Sequence, residues 1–89
     1  MATYLIGYDL NRPGQNYNEL FEAIKSIGTW WHCLDSTWIV KSTLTAAQVR
    51  DKISPHIDGN DRLLVAVLSG EAAWVGFSQD CSDWLKNNL

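Results

Sequence analysis

The sequence predicts an α+β domain built around an antiparallel sheet, and three observations support this. Five stretches have the alternating or continuously apolar character of strands, and two others repeat apolar residues at helical spacing. They follow one another as strand, helix, strand, strand, helix, strand and a strand-like tail. That order is typical of a ferredoxin-like βαββαβ arrangement, here with an extra C-terminal strand. The 89 residues suffice for a single domain spanning 1–89.

The first predicted strand, Thr3–Leu10, is apolar on both faces, which indicates a central strand covered on two sides. Right-handed crossovers place the first and third strands in the middle of the sheet. Gly7 is unfavourable inside a strand unless something approaches closely, so we expect a backbone or a ring against it. Asp9 stands at the outgoing end of the strand, before the polar loop Asn11–Gln15.

A helix is predicted after this loop. Asn16 is its expected N-cap, Glu19 completes a capping box, and Gly28 marks its end. The apolar residues of this segment recur at helical spacing and form one stripe: Tyr17, Leu20, Phe21, Ile24 and Ile27.

A β-hairpin is predicted next, from Thr29–Asp35 and Thr37–Lys41, because both stretches are rich in residues that favour strands. A second helix follows, with a capping box formed by Thr45 and Gln48. Pro55 disfavours helix at the residue before it, so the second helix is expected to end or kink there.

The last third of the chain predicts one more strand and a tail. Arg62–Leu68 is a continuous apolar run, as expected of a strand. Ala72–Phe77 is expected to form a short edge strand, and Ser78 or Ser82 to cap a final helical turn.

Composition limits the classes of function. Ten acidic and seven basic residues give a net charge of −3, which argues against a broad phosphate-binding surface. Cys33 and Cys81 are too few and too far apart for a disulfide framework or a paired-cysteine zinc site, so we expect reduced thiols. The N-terminal residues lack a secretory-signal pattern, and no window approaches the roughly 18 apolar residues of a membrane span. We therefore expect a cytoplasmic protein with no membrane partner.

The predicted topology gathers polar residues at one end of the sheet, here called the rim. The expected members of the rim are Asp9, Asn11, Arg12, Asp35, Ser36, Thr37, Asp61 and Arg62, with His56 arriving from the second helix. The Asp9 carboxylate could bind Mg²⁺ or Mn²⁺, alone or with its copy in a dimer. Alternatively, it hydrogen-bonds the following loop or pairs with Arg12.

Other motifs also leave two interpretations open. The Asp35-Ser36-Thr37 trio either holds a phosphate or metal or simply forms a turn. His56 is the candidate general acid or base if it is more than a surface histidine. The cluster of Trp30, Trp31 and Trp38 either stacks nucleic-acid bases or packs in a core or dimer interface.

One combination of motifs resembles a known superfamily. Tyr8-Asp9-Leu10 closes the first strand and is followed by a polar loop, an amphipathic helix and a Trp-rich hairpin. This pattern resembles the superfamily of CRISPR-associated protein 2 and the virulence-associated protein D toxins. Tyr4–Asn11, Trp30–His32 and Asp35–Trp38 are more similar to a group of short bacterial and phage proteins related to that superfamily.

The resemblance implies a homodimer joined through sheet faces, with Ala72–Phe77 completing the partner's sheet. It also implies that Asp9 contributes to an Mg²⁺ or Mn²⁺ site between protomers. With that metal, the protein would act as an endonuclease, more on RNA than on DNA. The supporting residues would be Asn11, Arg12, Ser36, Thr37 and Arg62 on the nucleic acid, with His56 as acid or base. Other members are structural subunits, so the alternative is a non-catalytic dimeric protein that binds a protein or nucleic acid in a phage, defence or toxin–antitoxin system.

Overall fold

An antiparallel sheet of four strands lies at the centre of the protein, in a computed structural model that describes residues 1–11 and 17–89. The strands are β1 (Ala2–Asp9), β2 (Thr29–Trp31), β3 (Thr37–Ser42) and β4 (Arg62–Val67), in the spatial order β2-β3-β1-β4. The helices are α1 (Asn18–Lys25), α2 (Ala46–Ile53) and α3 (Gln79–Asn88), with a 3₁₀ turn at Ser54–His56. The α+β prediction is confirmed.

The inner face of the sheet is the one that α1 and α2 cover. Alternation along β1 and β3 turns large side chains of both strands toward the helices. The fully or almost fully buried residues of this layer are Tyr4, Ile6, Tyr8, Trp38 and Val40 from the sheet and Leu20, Ile24, Val49 and Ile53 from the helices. This layer is the main hydrophobic core.

The predicted caps and ends of the two inner helices can be compared with the structure. The capping box of α2 is present, because the Thr45 hydroxyl accepts from Gln48 N and the Gln48 side chain accepts from Thr45 N. The helix ends at Ile53 and passes into the 3₁₀ turn that contains Pro55, as predicted. The expected N-cap of α1, Asn16, lies outside the described residues.

Two positions are occupied by glycine for structural reasons that differ from those predicted. Gly28 follows α1, but a Cβ there would collide with the backbone carbonyl of Lys41, so close approach to β3 requires glycine. Gly7 was expected to have a close neighbour. A Cβ on Gly7 would meet only the Leu5 side chain, at 3.7 Å, so the expected backbone or ring does not lie against it among the described residues.

The outer face of the sheet is covered in part by residues 69–89, here called the C-terminal cover. The cover consists of a strap, residues 69–78, and α3. Trp31, Ile39 and Leu85 are the buried residues of this second layer. Phe77 of the strap meets the Trp31 ring edge-on, with 5.1 Å between the ring centres.

The predicted C-terminal strand, Ala72–Phe77, is wrong, because the described residues contain no fifth strand. Two glycines with positive φ, Gly70 at 97° before the segment and Gly76 at 91° within it, turn the chain. Trp74 and Phe77 pack against the outer face of the sheet, whereas Val75 is 92% exposed. The helical end of the tail is confirmed, with the Ser78 hydroxyl accepting from Cys81 N.

Cys33 and Cys81 form a disulfide, so the prediction of reduced thiols is wrong. Cys33 follows β2 and Cys81 lies in α3, and their Cα atoms are 6.4 Å apart although 48 positions separate them in sequence. Sequence spacing gave no sign of this proximity, because the fold-back of the cover creates it.

No helix among the described residues is long and apolar enough to cross a membrane.

Candidate functional site

The rim predicted from the topology exists, and backbone pairing assembles it. Asp9 lies opposite Arg62 in the β1–β4 register, and Gly7 lies opposite Thr37 in the β1–β3 register. The backbone N–H of Tyr8 donates to the carbonyl of Ser36 at 3.1 Å, which fixes the hairpin end against β1. Arg12, the other predicted phosphate ligand, lies outside the described residues.

Asp9 presents an exposed carboxylate on the outer face, at the end of β1. It makes no hydrogen bond or ion pair with the residues that the structure describes, and the expected alternative partners, Arg12 and most of the following loop, lie outside those residues. The side chains of Ser36 and Arg62 are likewise without a described partner. Together with Leu64, these residues border the part of the outer face that the C-terminal cover leaves bare.

Asp61 performs the loop-bonding that was considered for Asp9. One carboxylate oxygen accepts from the Asn11 backbone N–H at 2.8 Å and from the Tyr17 hydroxyl at 3.3 Å. The other oxygen accepts from the Asp58 backbone N–H at 3.1 Å. The Asn11 side chain adds a hydrogen bond to the carbonyl of Asn60 at 2.7 Å, so Asn11 serves to tie two loops together.

His56 belongs to this loop-bonding group rather than to the surroundings of Asp9. Its Nδ1 lies 3.9 Å from a carboxylate oxygen of Glu19 on α1. It borders a groove of about 240 Å³ that Tyr17, Asp58 and Asp61 also line. The rim therefore divides into an outer group around Asp9 and Arg62 and an inner group around Asp61 and His56.

The donors for a divalent cation were compared with what Mg²⁺ or Mn²⁺ requires, which is several oxygen ligands around one ion. Among the described residues no three His, Cys, Asp or Glu side chains converge on one point. Asp9 supplies one carboxylate, and the register places Arg62 directly beside it on β4. The described part of one chain does not fit such a cation; a second copy would have to supply further ligands.

The aromatic residues of the hairpin pack instead of forming a free stacking platform. Trp31 and Trp38 are buried, which confirms the packing interpretation for both. The His32 ring stacks on Trp38, with 3.7 Å between ring centres and 9° between planes. Trp30 is 42% exposed and has the Lys25 ammonium group 5.1 Å from its ring centre.

A polar pair inside the inner core links these aromatic residues to the rim. The Trp38 indole N–H donates to the Tyr8 hydroxyl at 3.0 Å, and that hydroxyl donates to the carbonyl of Asp35 at 3.4 Å. Burial raises the pKa of the Tyr8 hydroxyl above its ordinary value of 10.0. The hydrogen bond from Trp38 acts in the opposite direction, and the nearby charge of Asp35 raises the pKa further.

The outer edge of β4 is free of any other described strand. Leu68 N donates to the carbonyl of Thr3 at 2.8 Å, and hydrogen-bonded pairs alternate along an antiparallel ladder. Leu64 and Ala66 therefore bond to β1, whereas the backbone groups of Leu63, Val65 and Val67 point away from the sheet. The predicted topology placed the first and third strands in the middle of the sheet, and the observed order likewise leaves β4 at an edge.

A shallow groove of about 280 Å³ runs along this edge, between β4 and the start of α2. Ala46, Ala47 and Arg50 form its helix side, and residues 63–65 form its strand side. Leu64 is 61% exposed and Val67 is 63% exposed. Backbone donors, backbone acceptors and apolar side chains are thus available together.

No protein-family model matches the chain, and no solved structure matches it at a significant level. The resemblance to the superfamily of CRISPR-associated protein 2 stays a prediction from the motifs. The function is therefore inferred from the geometry of the rim and of the β4 edge.

Proposed function

We propose that the chain is a non-catalytic interaction subunit that forms a homodimer by pairing β4 of one protomer with β4 of the other. The observation behind the proposal is the free edge, where Leu63, Val65 and Val67 direct backbone N–H and C=O groups outward. An added antiparallel strand would satisfy those groups in both protomers and bury Leu64 and Val67.

The composition of β4 favours a protein partner over solvent at this edge. Soluble proteins protect exposed edges with lysine, proline, bulges or a covering segment. From Leu63 to Val67 the strand has no charged residue and no proline, and Arg62 stands only at its start. A second copy is the simplest occupant, because an antiparallel strand of this kind pairs with itself about a two-fold axis.

The distribution of positive charge supports protein association more than nucleic-acid binding. Lys25 pairs with Glu22 at 3.8 Å, and Arg50 pairs with Asp51 at 3.0 Å. Of the rim residues that the structure describes, only Arg62 is a permanent cation. One such cation beside Asp9 gives little attraction for a phosphate backbone.

The biological setting of such a subunit follows from the resemblance. We propose a ferredoxin-like protein related to CRISPR-associated protein 2 and the virulence-associated protein D toxins, acting in a phage, defence or toxin–antitoxin system. A cytoplasmic location is part of the proposal. It makes the Cys33–Cys81 disulfide unusual, because reducing compartments keep most thiols reduced.

The dimer is tested by measuring molar mass in solution by light scattering and sedimentation. We expect twice the protomer mass of 10.0 kDa for the wild type. The double variant Leu64→Lys/Val67→Lys should be monomeric with an unchanged circular dichroism spectrum, because both side chains are exposed in the protomer and charges oppose each other in the pair. Val75→Lys is the matched control, since Val75 is 92% exposed but lies on the strap.

Two results would count against the β4 dimer. A wild-type protein that stays at the protomer mass over a wide concentration range would exclude it. A Leu64→Lys/Val67→Lys protein that remains dimeric would place the interface elsewhere.

The second candidate is a metal-dependent endonuclease acting on RNA, and the observation that favours it is the exposed carboxylate of Asp9, which has no partner among the residues that the structure describes. The two candidates require different dimers. In the β4 dimer the two β1 strands are three strand spacings apart, about 14 Å, so the two Asp9 residues could not share one cation. A shared cation would require the bare part of the outer face, around Asp9 and Leu64, to pack against its copy.

The nuclease candidate is tested with purified protein, Mn²⁺ and labelled RNA or DNA. Asp9→Asn should abolish cleavage, whereas Glu71→Gln, which removes the same charge from an exposed strap residue, should leave it intact. Cleavage that persists in Asp9→Asn would identify a contaminant, and intact substrates with the wild type across a pH range would reject the candidate.

A further inference from the structure

The Cys33–Cys81 disulfide joins two layers that have few other strong links. Cys33 continues from β2 at the sheet edge, and Cys81 lies in the first turns of α3. Both residues are half-buried rather than part of the fully buried core. The bond therefore fastens the C-terminal cover to the outer face near the protein surface.

The strap that leads to α3 has little regular secondary structure and little backbone hydrogen bonding. None of residues 69–77 takes part in the described backbone–backbone hydrogen bonds outside helices and strands, and none lies in a strand. Gly70 and Gly76 have positive φ, and no heavy atom lies within 4 Å of where a Cβ would stand at either position. Glycine has the widest range of backbone conformations, so these two positions are suited to act as hinges.

The contacts beneath the cover are also incomplete. An open groove of about 320 Å³ lies between the sheet and the cover, lined mainly by apolar residues that include Leu5, Ile39 and Trp74. Apolar atoms that line a groove lack packing partners on one side, so the cover is held less firmly than the inner helices. The polar links from the sheet to the cover are the Trp31 indole N–H to the carbonyl of Cys81 at 3.1 Å and the Thr3 hydroxyl to the carbonyl of Asn88 at 3.2 Å.

We infer that the Cys33–Cys81 disulfide is a thiol-exchange site, and that its reduction by a dithiol releases the C-terminal cover from the sheet. A thiolate of the dithiol attacks one sulfur and forms a mixed disulfide, with the other cysteine leaving as a thiolate that takes up a proton. The second thiol of the reductant then displaces the remaining cysteine. Two electrons and two protons pass to the protein, and the reductant becomes a disulfide.

Release of the cover has a defined structural consequence. It would expose Leu5, Trp31 and Ile39, and so extend the bare part of the outer face from β4 across to β2. The inner face, with α1 and α2, does not involve either cysteine and should stay folded. The inference does not depend on the proposed β4 dimer, because the edge of β4 and the cover are separate surfaces.

The inference is tested by hydrogen exchange on the native protein, before and after treatment with dithiothreitol, with alkylation and mass spectrometry to count free thiols. We expect the amides of 79–89 to exchange at least tenfold faster after reduction, while those of β1 and β3 keep their protection. Cys33→Ser/Cys81→Ser is the matched variant. Its cover should exchange as in the reduced wild type and should not respond to the reductant.

A second variant guards against loss of folding in the serine protein. Leu85→Ala weakens cover packing but retains the disulfide, so the oxidised variant should keep the cover closed and open it more fully on reduction. Three results would overturn the inference: a disulfide that dithiothreitol cannot reduce without denaturant, a cover whose exchange is unchanged once both thiols are alkylated, or simultaneous loss of protection throughout the domain.

Discussion

The two faces of the sheet are held by different means. The inner face is covered by two helices, and the layer between sheet and helices holds many fully buried side chains, among them Ile6 of β1 and Leu20 and Ile24 of α1. The outer face is covered by an irregular strap and one helix, over a smaller buried cluster and a cross-link from Cys33 to Cys81. Regular packing stabilises the first layer, whereas a covalent bond compensates for sparse packing in the second. The difference makes the outer layer the one suited to change.

Truncation of one buried aliphatic side chain on each face gives the largest test of this comparison. Ile24 is fully buried, and Leu85 is 3% exposed beside the open groove under the cover. We expect Ile24→Ala to lower the free energy of unfolding by about 4 kcal/mol and Leu85→Ala by about 2 kcal/mol, near the two ends of the usual range. Urea unfolding of both oxidised variants measures this.

The same two variants also differ in where stability is lost. Hydrogen exchange should rise throughout the domain in Ile24→Ala but mainly within α3 in Leu85→Ala, because the cover can open without the core. Equal losses, spread over the whole domain in both proteins, would mean that the two layers form one cooperative unit.

The contrast between the layers also explains which parts of the fold were predictable. The first strand and the two inner helices depend on local signals, such as the Thr45–Gln48 capping box, and these were predicted. The hairpin was also predicted, but its first strand ends at Trp31 instead of Asp35. The order of the sheet brought Asp9, Ser36, Thr37 and Arg62 to one rim, so that much of the candidate site was also predictable.

The errors concern contacts between residues distant in sequence. Ala72–Phe77 has the composition of a strand, but it pairs with no edge of the sheet, and its Trp74 and Phe77 side chains pack against the outer face instead. The disulfide depends on the same fold-back, which brings together cysteines 48 positions apart. The bonding of Asp61 to Asn11 was missed for a similar reason, since either of two rim carboxylates could satisfy the loop amides.

The helix caps test the two layers at a smaller scale. Thr45→Ala removes the capping hydroxyl of α2, and Ser78→Ala removes that of α3. Each should cost about 1 kcal/mol, the usual value for loss of a cap. Thr45→Ala should reduce the global free energy of unfolding, whereas Ser78→Ala should mainly accelerate exchange of the α3 amides. Thr45→Ser and Ser78→Thr keep a hydroxyl and should behave nearly as the wild type.

The smallest expected effect concerns the Tyr8 hydroxyl in the inner core. Its pKa is raised above 10.0 in the folded protein, chiefly by burial, so the folded state holds this proton more tightly than the unfolded chain. The corresponding stability is fully present below the unfolded pKa and is lost as pH rises from about 10 through the folded pKa. Urea unfolding between pH 8 and pH 11 (roughly one unit or more on either side of the ordinary tyrosine pKa) should therefore show a steeper alkaline decline in the wild type than in Tyr8→Phe. Because Tyr8→Phe also leaves the Trp38 indole N–H without its acceptor, the variant should be less stable at every pH. Only the difference between the two slopes of unfolding free energy against pH reports the titration.

Parallel slopes of unfolding free energy against pH would show that Tyr8 does not contribute to alkaline sensitivity, and that the core around Trp38 tolerates the phenolate.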